Sequence, residues 1–231
     1  MIFDPIYFLF VLPPMLLGLF AQWRVKSTFA AMSQVPARMS GAQAARQMLD
    51  SAGLYQVGIE QVQGHLSDHY DPRAKVLRLS PEVYGGRSMS ALGVACHEAG
   101  HAFQDAKQYA PLVIRNMAVP AANFGSNIGV LMATIGLMLS YQAPVIGKPL
   151  LLVGIALFGC VVFFQLVNLP VEFDASKRAR RHLVSANLIA PNEEQFVAKV
   201  LNAAALTYVA GTLQAVMTLA YFVFRAMGDR R

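Results

Sequence analysis

The segment His97-Glu98-Ala99-Gly100-His101 has the residue types and the spacing of a zinc-dependent hydrolase. Two histidines four residues apart lie on one face of a helix, where both rings can bind one zinc ion at about 2.0–2.1 Å. The glutamate between them lies on the adjacent edge, where its carboxylate can reach a zinc-activated water as a general base. The motif therefore predicts His97 and His101 as metal ligands and Glu98 as the catalytic base.

A catalytic zinc site needs a third protein ligand, and it leaves one position open for water. We expect this ligand to be Glu172, because the two apolar runs between His101 and Glu172 form a hairpin that returns the chain to the same side of a membrane. Pro170 permits a helix to begin there, which places Glu172 in a first helical turn. Asp174 is the competing acid, and the helix dipole alone also favours an acid in a first turn.

The elements that position these residues include four apolar runs, each long enough to cross about 30 Å of hydrocarbon as a helix. Hydrophobic residues make up 55% of the 231 residues and charged residues only 14%, against roughly 25% charged in soluble proteins. The first run has no small-residue cleavage site after it, so we expect a retained anchor rather than a signal peptide. The runs are residues 6–23, 118–140, 149–168 and 203–224.

The distribution of basic residues predicts the orientation of these runs. If all four cross the membrane, 15 of the 19 Lys and Arg residues fall in the segments 24–117 and 169–202, which share one side. Because basic residues concentrate on the cytoplasmic side, we expect both segments in the cytoplasm. Topology thus explains the net charge of +6, and we predict no nucleic-acid partner. Anionic headgroups explain the basic cluster at 177–181, with substrate binding as the alternative.

The pattern divides the chain into five segments. We predict a transmembrane anchor over 1–25, a cytoplasmic peptidase segment over 26–117, a transmembrane hairpin over 118–168, a cytoplasmic helix carrying the third zinc ligand over 169–202, and a fourth transmembrane helix with a short tail over 203–231. The expected fold class is therefore mainly α: a four-span α-helical membrane protein with a zincin-like module that contains a short β-sheet.

Local signals add detail to the peptidase segment. Hydrophobic spacing predicts a short helix over 40–52 and strands over 57–62 and 75–80, and Ser88 or Ser90 can cap a helix that continues to Gln108. We expect strand 75–80, directly before the motif helix, to align the substrate backbone by strand addition.

Several further residues have a functional and a structural interpretation. Gln104 and Asp105 can hydrogen-bond the ligand imidazoles or simply make the helix surface polar. A second metal site at His65, Asp68 and His69 is less favoured than a solvated loop or strand edge, because no helix or closed ligand set is evident there. We expect Cys96 to be a packing residue and no disulfide to join it to Cys160.

Longer motifs carry a family resemblance. They read D-P-R-A-K-V-L-R-L-S-P-E-V-Y, then G-G-R-S-M-S-A-L-G-V-A-C-H-E-A-G-H-A-F-Q, and later V-E-F-D-A-S-K-R-A. Together they resemble the YugP-like family of neutral zinc metallopeptidases of bacterial membranes, and the resemblance covers most of the chain. More distantly, the chain is similar to the HtpX-type membrane gluzincins, in which an edge strand precedes the His-Glu-x-x-His helix and a membrane hairpin separates that helix from a glutamate ligand.

The resemblance to the gluzincins bears on the third ligand. Their motif is Glu-x-x-Ala-Asp, which Glu172 and Ala175 match, whereas the final position is Ser176. The resemblance therefore implies Glu172 as the ligand. It leaves the supporting role of the missing aspartate to Ser176, to Asp174 or to no residue.

Residues and resemblance together predict a multi-pass zinc metalloendopeptidase of the bacterial cytoplasmic membrane, with its active site on the cytoplasmic side. One Zn²⁺ per chain is expected on His97, His101 and Glu172, with Glu98 as the base and membrane-associated proteins or peptides as substrates. The alternative is a non-catalytic zinc-binding membrane scaffold or a chaperone-like protein, which would have no need of Glu98. A zinc transporter is less favoured, because it requires ionisable residues within its spans.

Overall fold

The computed structural model describes residues 4–228, which form a mainly helical chain with a small sheet. The helices are α1 (Pro5–Ser33), α2 (Gly41–Ser51), α3 (Pro81–Tyr84), α4 (Met89–Ala106), α5 (Ala110–Phe124), α6 (Val130–Gln142), α7 (Pro144–Ser185) and α8 (Glu194–Gly228). A π-helical turn, Gly125–Gly129, joins α5 to α6. The strands are β1 (Gly58–Gln61), β2 (His69–Asp71) and β3 (Val76–Leu79).

Four helical stretches in the described part of the chain are long and apolar enough to cross a membrane. Each contains one of the apolar runs predicted from the sequence. They are Pro5–Ser33, Ala110–Gln142, Pro144–Ser185 and Glu194–Gly228. The prediction of a mainly helical chain with four long apolar helices and a short sheet is confirmed.

The chain forms two compact units. The first, the membrane unit, comprises residues 4–20, 114–169 and 207–228 of the described chain. Its helices pack through small residues: a Cβ atom on Gly136 would lie 2.2 Å from the backbone nitrogen of Leu151. Such contacts are typical of membrane helices, where close backbone approach supplies the packing energy.

The second unit comprises residues 21–113 and 170–206, and we call it the peptidase unit because it contains most of the segment predicted as peptidase from the sequence. Its sheet has the order β1-β3-β2, in which β3 pairs with β1 in parallel and with β2 antiparallel. Fully buried side chains from α2, β3 and α4, including Met48, Leu77 and Leu92, form its core. This core fixes α4, the helix that contains the His-Glu-x-x-His motif.

Two expectations about local structure are wrong, and one strand was not predicted. Strands 57–62 and 75–80 are found as β1 and β3, but β2 had no clear alternating signal and was not predicted. Because β3 is the central strand and both of its edges are paired, the prediction that it receives a substrate strand is wrong. The prediction that a helix begins at Pro170 is also wrong, since this proline lies inside α7.

Candidate metal centre

Helix α4 presents the three motif residues. Ser88 caps its first turn, where the hydroxyl accepts a hydrogen bond from the backbone N–H of Ala91 at 3.3 Å. The helix then continues to Ala106, so His97 and His101 lie one turn apart with ring centroids 4.8 Å from each other. His101 and Glu98 are buried, which keeps the polar edge of the helix away from bulk water.

Helix α7 places Glu172 next to His97 and His101. The carboxylate is buried, and its Oε2 atom lies 3.3 Å from His97 Nε2 and 3.6 Å from His101 Nε2. Glu172 lies deep inside α7 rather than in a first turn, so the helix dipole does not explain this acid.

The close approach of the two helices depends on Gly100. A Cβ atom at this position would lie 2.7 Å from the backbone oxygen of Ala175 on α7. Any larger residue would therefore push the helices apart. The glycine between the motif histidines thus sets how near Glu172 can come to them.

The three side chains fit a zinc ion. Their ligand atoms all lie within 4.8 Å of one another, and two imidazole nitrogens with one carboxylate oxygen are a common donor set of catalytic zinc. Ligands at about 2.0–2.1 Å in a tetrahedral arrangement are about 3.3 Å apart, close to the two nitrogen–oxygen distances. His97, His101 and Glu172 form the one such metal-ligand group among residues 4–228.

The electrostatics of the cluster favour a cation between the rings. Glu172 lies outside the apolar run 149–168. Burial raises the pKa of its carboxyl, but the neighbouring imidazoles of His101 and His97 hold that pKa well below its usual range. Burial lowers the pKa of His101, yet the neighbouring carboxylates of Glu172 and Glu98 raise it above its ordinary value. The site therefore concentrates negative charge where a metal would bind.

The second ring nitrogen of each histidine is also engaged. Gln104 is fully buried, and its Oε1 lies 3.0 Å from His101 Nδ1, while its Nε2 donates to the Val171 carbonyl at 2.8 Å and to Asp174 Oδ2 at 2.9 Å. Ser176 Oγ lies 3.1 Å from His97 Nδ1. When these oxygens accept the Nδ1–H of each ring, both Nε2 lone pairs point to the metal position.

Glu98 lies beside the ligands and contacts the sheet. Its Oε2 accepts a hydrogen bond from the backbone N–H of Tyr70, in β2, at 2.9 Å. This bond orients the carboxylate of Glu98 toward the outer edge of β2. The buried Glu98 therefore lies next to an edge strand, β2, which the sequence did not predict.

Comparison with known proteins identifies the family. Residues 7–227 match the model of the family described as "Putative neutral zinc metallopeptidase". The chain is also 47% identical over 216 residues to the "Putative membrane protease YugP" of Bacillus subtilis (strain 168), a match that covers 93% of each chain. The chain belongs to this zinc metallopeptidase family. The predicted resemblance is thereby confirmed.

No solved structure matches this member of the zinc metallopeptidase family. The competitor Asp174 contacts Gln104 and Arg178 rather than the imidazoles. Asp105 accepts a hydrogen bond from the Tyr70 hydroxyl at 2.8 Å and lies 2.5 Å from Lys75 Nζ. Of Gln104 and Asp105, the two residues predicted to contact the imidazoles, only Gln104 therefore does so.

The loop at 65–69 does not form a second cluster of metal ligands. His65 Nδ1 lies 2.7 Å from Glu82 Oε2, Asp68 accepts from Ser80, and His69 Nδ1 lies 2.8 Å from the Ser67 carbonyl. These side chains point to separate partners. His65 and Asp68 lie in a loop and His69 is the first residue of β2, which agrees with the interpretation as a loop or strand edge.

Proposed function

We propose that this family member is a membrane-embedded zinc metalloendopeptidase of the gluzincin type. One Zn²⁺ per chain is held by His97, His101 and Glu172, and Glu98 is the general base. The observation that carries the proposal is the approach of the Glu172 carboxylate to both imidazoles, at 3.3 and 3.6 Å, next to a buried glutamate.

The reaction needs little more than these side chains. When bound, zinc lowers the pKa of water toward about 7 and polarises the scissile carbonyl. Glu98 accepts the proton of the attacking water at its carboxylate and then delivers that proton to the leaving amine. Gln104 and Ser176 hold the imidazoles in the tautomer that leaves Nε2 free.

The substrate is proposed to be a protein or peptide in an extended conformation. Strand β2 takes over the role that the sequence suggested for β3, because β2 is an edge of the sheet and its Tyr70 N–H contacts Glu98. A peptide added along this edge replaces Glu98 as the acceptor of the Tyr70 N–H and gains main-chain hydrogen bonds with little sequence preference. Its carbonyl carbons would pass next to Glu98.

The proposed setting is the bacterial cytoplasmic membrane, with the site on the cytoplasmic side. The four apolar helices support membrane insertion. The concentration of 15 of the 19 basic residues in 24–117 and 169–202 supports the orientation. Substrates are then proteins at or near the inner leaflet. Labelling of a cysteine introduced at Gly64 from outside intact cells would contradict the orientation.

The decisive experiment combines metal analysis with a cleavage assay on the purified full chain. Glu98→Gln should keep one zinc per chain but lower cleavage of casein by at least about 10²-fold, because the base is lost while the ligands remain. Glu172→Ala should lose most of the zinc, whereas Asp174→Ala should keep most of it and serves as the matched control. A chelator should abolish cleavage by the parent.

Three results would redirect the proposal. If the parent binds zinc but cleaves neither casein nor a membrane protein, the non-catalytic scaffold becomes the better description. If Asp174→Ala loses the metal and Glu172→Ala keeps it, the third ligand is Asp174. Undiminished cleavage by Glu98→Gln would remove that residue from the mechanism.

A further inference from the structure

The peptidase unit has a cleft of about 830 Å³ at the β1 edge of its sheet, opposite β2, which we call the arginine cleft. It lies between α2 and β1 and is lined by the side chains of Arg38, Arg46 and Arg87 together with Ile59 and Tyr84. None of the described residues that line it is acidic. The lining therefore combines concentrated positive charge with apolar surface.

The three guanidinium groups differ in how many partners they have. Arg46 is held in place, because its Nη atoms donate to the carbonyls of Val57 and Leu54. It also pairs with Asp50 at 2.8 Å, while its buried Nε has no hydrogen-bond partner in residues 4–228. Arg38 and Arg87 are exposed, and neither forms an ion pair with a described carboxylate. Two cations are thus available to an incoming anion beside an anchored third.

The edge of β1 that opens to the cleft has unpaired backbone groups. Gly58 N–H donates to the Lys75 carbonyl and Val62 N–H donates to the Leu79 carbonyl, both toward β3. Because alternate residues of a strand face the same neighbour, the N–H and C=O of Ile59 face away from β3. No strand within the described chain pairs with this side of β1, and Ile59 lines the cleft.

The single acid of β1 does not compete for these cations. Glu60 alternates with Ile59, so its side chain points to the other face of the sheet. There it lies 3.7 Å from Arg78. The cleft side of β1 thus presents a backbone edge beside Arg38 and Arg87, neither of which pairs with a carboxylate of residues 4–228, whereas Asp50 already pairs with Arg46.

From this juxtaposition we propose that the arginine cleft binds an extended acidic peptide segment of another protein, which adds to the free edge of β1 while its carboxylates pair with Arg38 and Arg87. The strand edge supplies main-chain hydrogen bonds and the arginines supply selectivity for charge. A free phosphate would use the charges but not the edge. This docking site is separate from β2 and does not depend on catalysis.

The test measures binding by fluorescence anisotropy on the full chain in detergent, with labelled peptides of about eight residues that alternate valine with either glutamate or lysine. The glutamate peptide should bind and the lysine peptide should not, and added salt should weaken binding. Arg38→Gln/Arg87→Gln should raise the Kd at least about tenfold. Arg73→Gln removes an exposed arginine outside the cleft and should leave the Kd unchanged.

A second arm tests the strand edge without altering the protein. A glutamate peptide N-methylated at alternate residues keeps its charge but loses the donors for one edge, so it should bind at least about tenfold more weakly. Mass spectrometry of the recovered peptide shows that it stays intact, which separates docking from cleavage.

The proposal is overturned by any of three outcomes. Equal binding of the glutamate and lysine peptides would remove the charge selectivity. An unchanged Kd for Arg38→Gln/Arg87→Gln would place binding elsewhere. Displacement of the glutamate peptide by inorganic phosphate or by duplex DNA of equal charge, together with an unchanged Kd for the N-methylated peptide, would show a simple anion site. Loss of proteolysis in the Glu98→Gln chain with peptide binding retained would leave this inference intact.

Discussion

The membrane unit and the peptidase unit place the same kinds of side chain in opposite environments. In the membrane unit, Leu9 and Met117 are 71% and 77% exposed. In the peptidase unit, Leu77 and Met48 are completely buried. Lipid tails are as apolar as leucine, so outward leucines cost nothing in a bilayer, whereas water drives them into a core. The apolar composition of the chain therefore reflects two different solvents.

Both units contain hydrogen-bonded polar side chains, but the two networks have different members. The peptidase unit buries a connected polar set around His101, Gln104 and Glu172. In the membrane unit, Asp4 accepts hydrogen bonds from Tyr221 and Arg225 at the ends of α1 and α8. Buried polar groups persist when they are bonded or bind a metal. The one group of metal-ligand side chains among residues 4–228, His97, His101 and Glu172, lies in the peptidase unit.

The largest expected effect concerns core packing. Leu77→Ala removes a fully buried side chain from the peptidase unit and should lower the free energy of unfolding by about 2–5 kcal/mol. Leu131→Ala, at a 57% exposed position in the membrane unit, should change it by less than about 0.5 kcal/mol. Denaturant titration in detergent measures both. Equal losses would show that the two units bury apolar side chains alike.

A second pair of variants tests the glycine contacts. Gly136→Ala in the membrane unit meets the backbone of α7 and should cost about 1–3 kcal/mol of stability without changing zinc affinity. Gly100→Ala should cost a similar amount and also weaken zinc binding by at least about tenfold, because it moves α4 away from Glu172. Chelator competition gives the affinity. Unchanged zinc binding in Gly100→Ala would mean that the helix spacing does not limit the site.

A third pair compares the two polar networks. Gln104→Leu removes the acceptor next to His101 Nδ1 and should weaken zinc binding by about 10–100-fold. Asp4→Asn disturbs only the network of the membrane unit and should leave zinc affinity as it is. Nitrogen NMR of the metal-free chain should show a changed His101 tautomer in Gln104→Leu alone. A parental tautomer and affinity in that variant would limit Gln104 to packing.

The smallest effect is expected at the cysteines. Cys96 is buried in the peptidase unit, and burial raises the pKa of its thiol to about 12, so a maleimide should modify it only after denaturation. Cys160 is half-exposed within the apolar run of α7 and should react with a lipid-soluble maleimide in the folded chain. Peptide mapping by mass spectrometry distinguishes the two. Rapid labelling of native Cys96 would contradict the close packing around it.

The sequence predicted well wherever the signal is local. The helices over 40–52 and 88–108 and the strands β1 and β3 appear close to their expected positions, because caps and periodicity act within a few residues. Strand β2 was missed because three residues are too few to show an alternating pattern. The helix start expected at Pro170 failed because packing of a long helix can outweigh the local preference of one proline.

The common face of His97, Glu98 and His101 follows from local sequence, because helical geometry places residues three and four apart on one face. The four apolar runs are likewise evident in the sequence. Long-range packing, in contrast, brings Glu172 to both imidazoles, places Gln104 and Ser176 against the rings, and puts β3 at the centre of the sheet. These contacts join residues distant along the chain, and close backbone packing such as that of Gly100 against Ala175 fixes them.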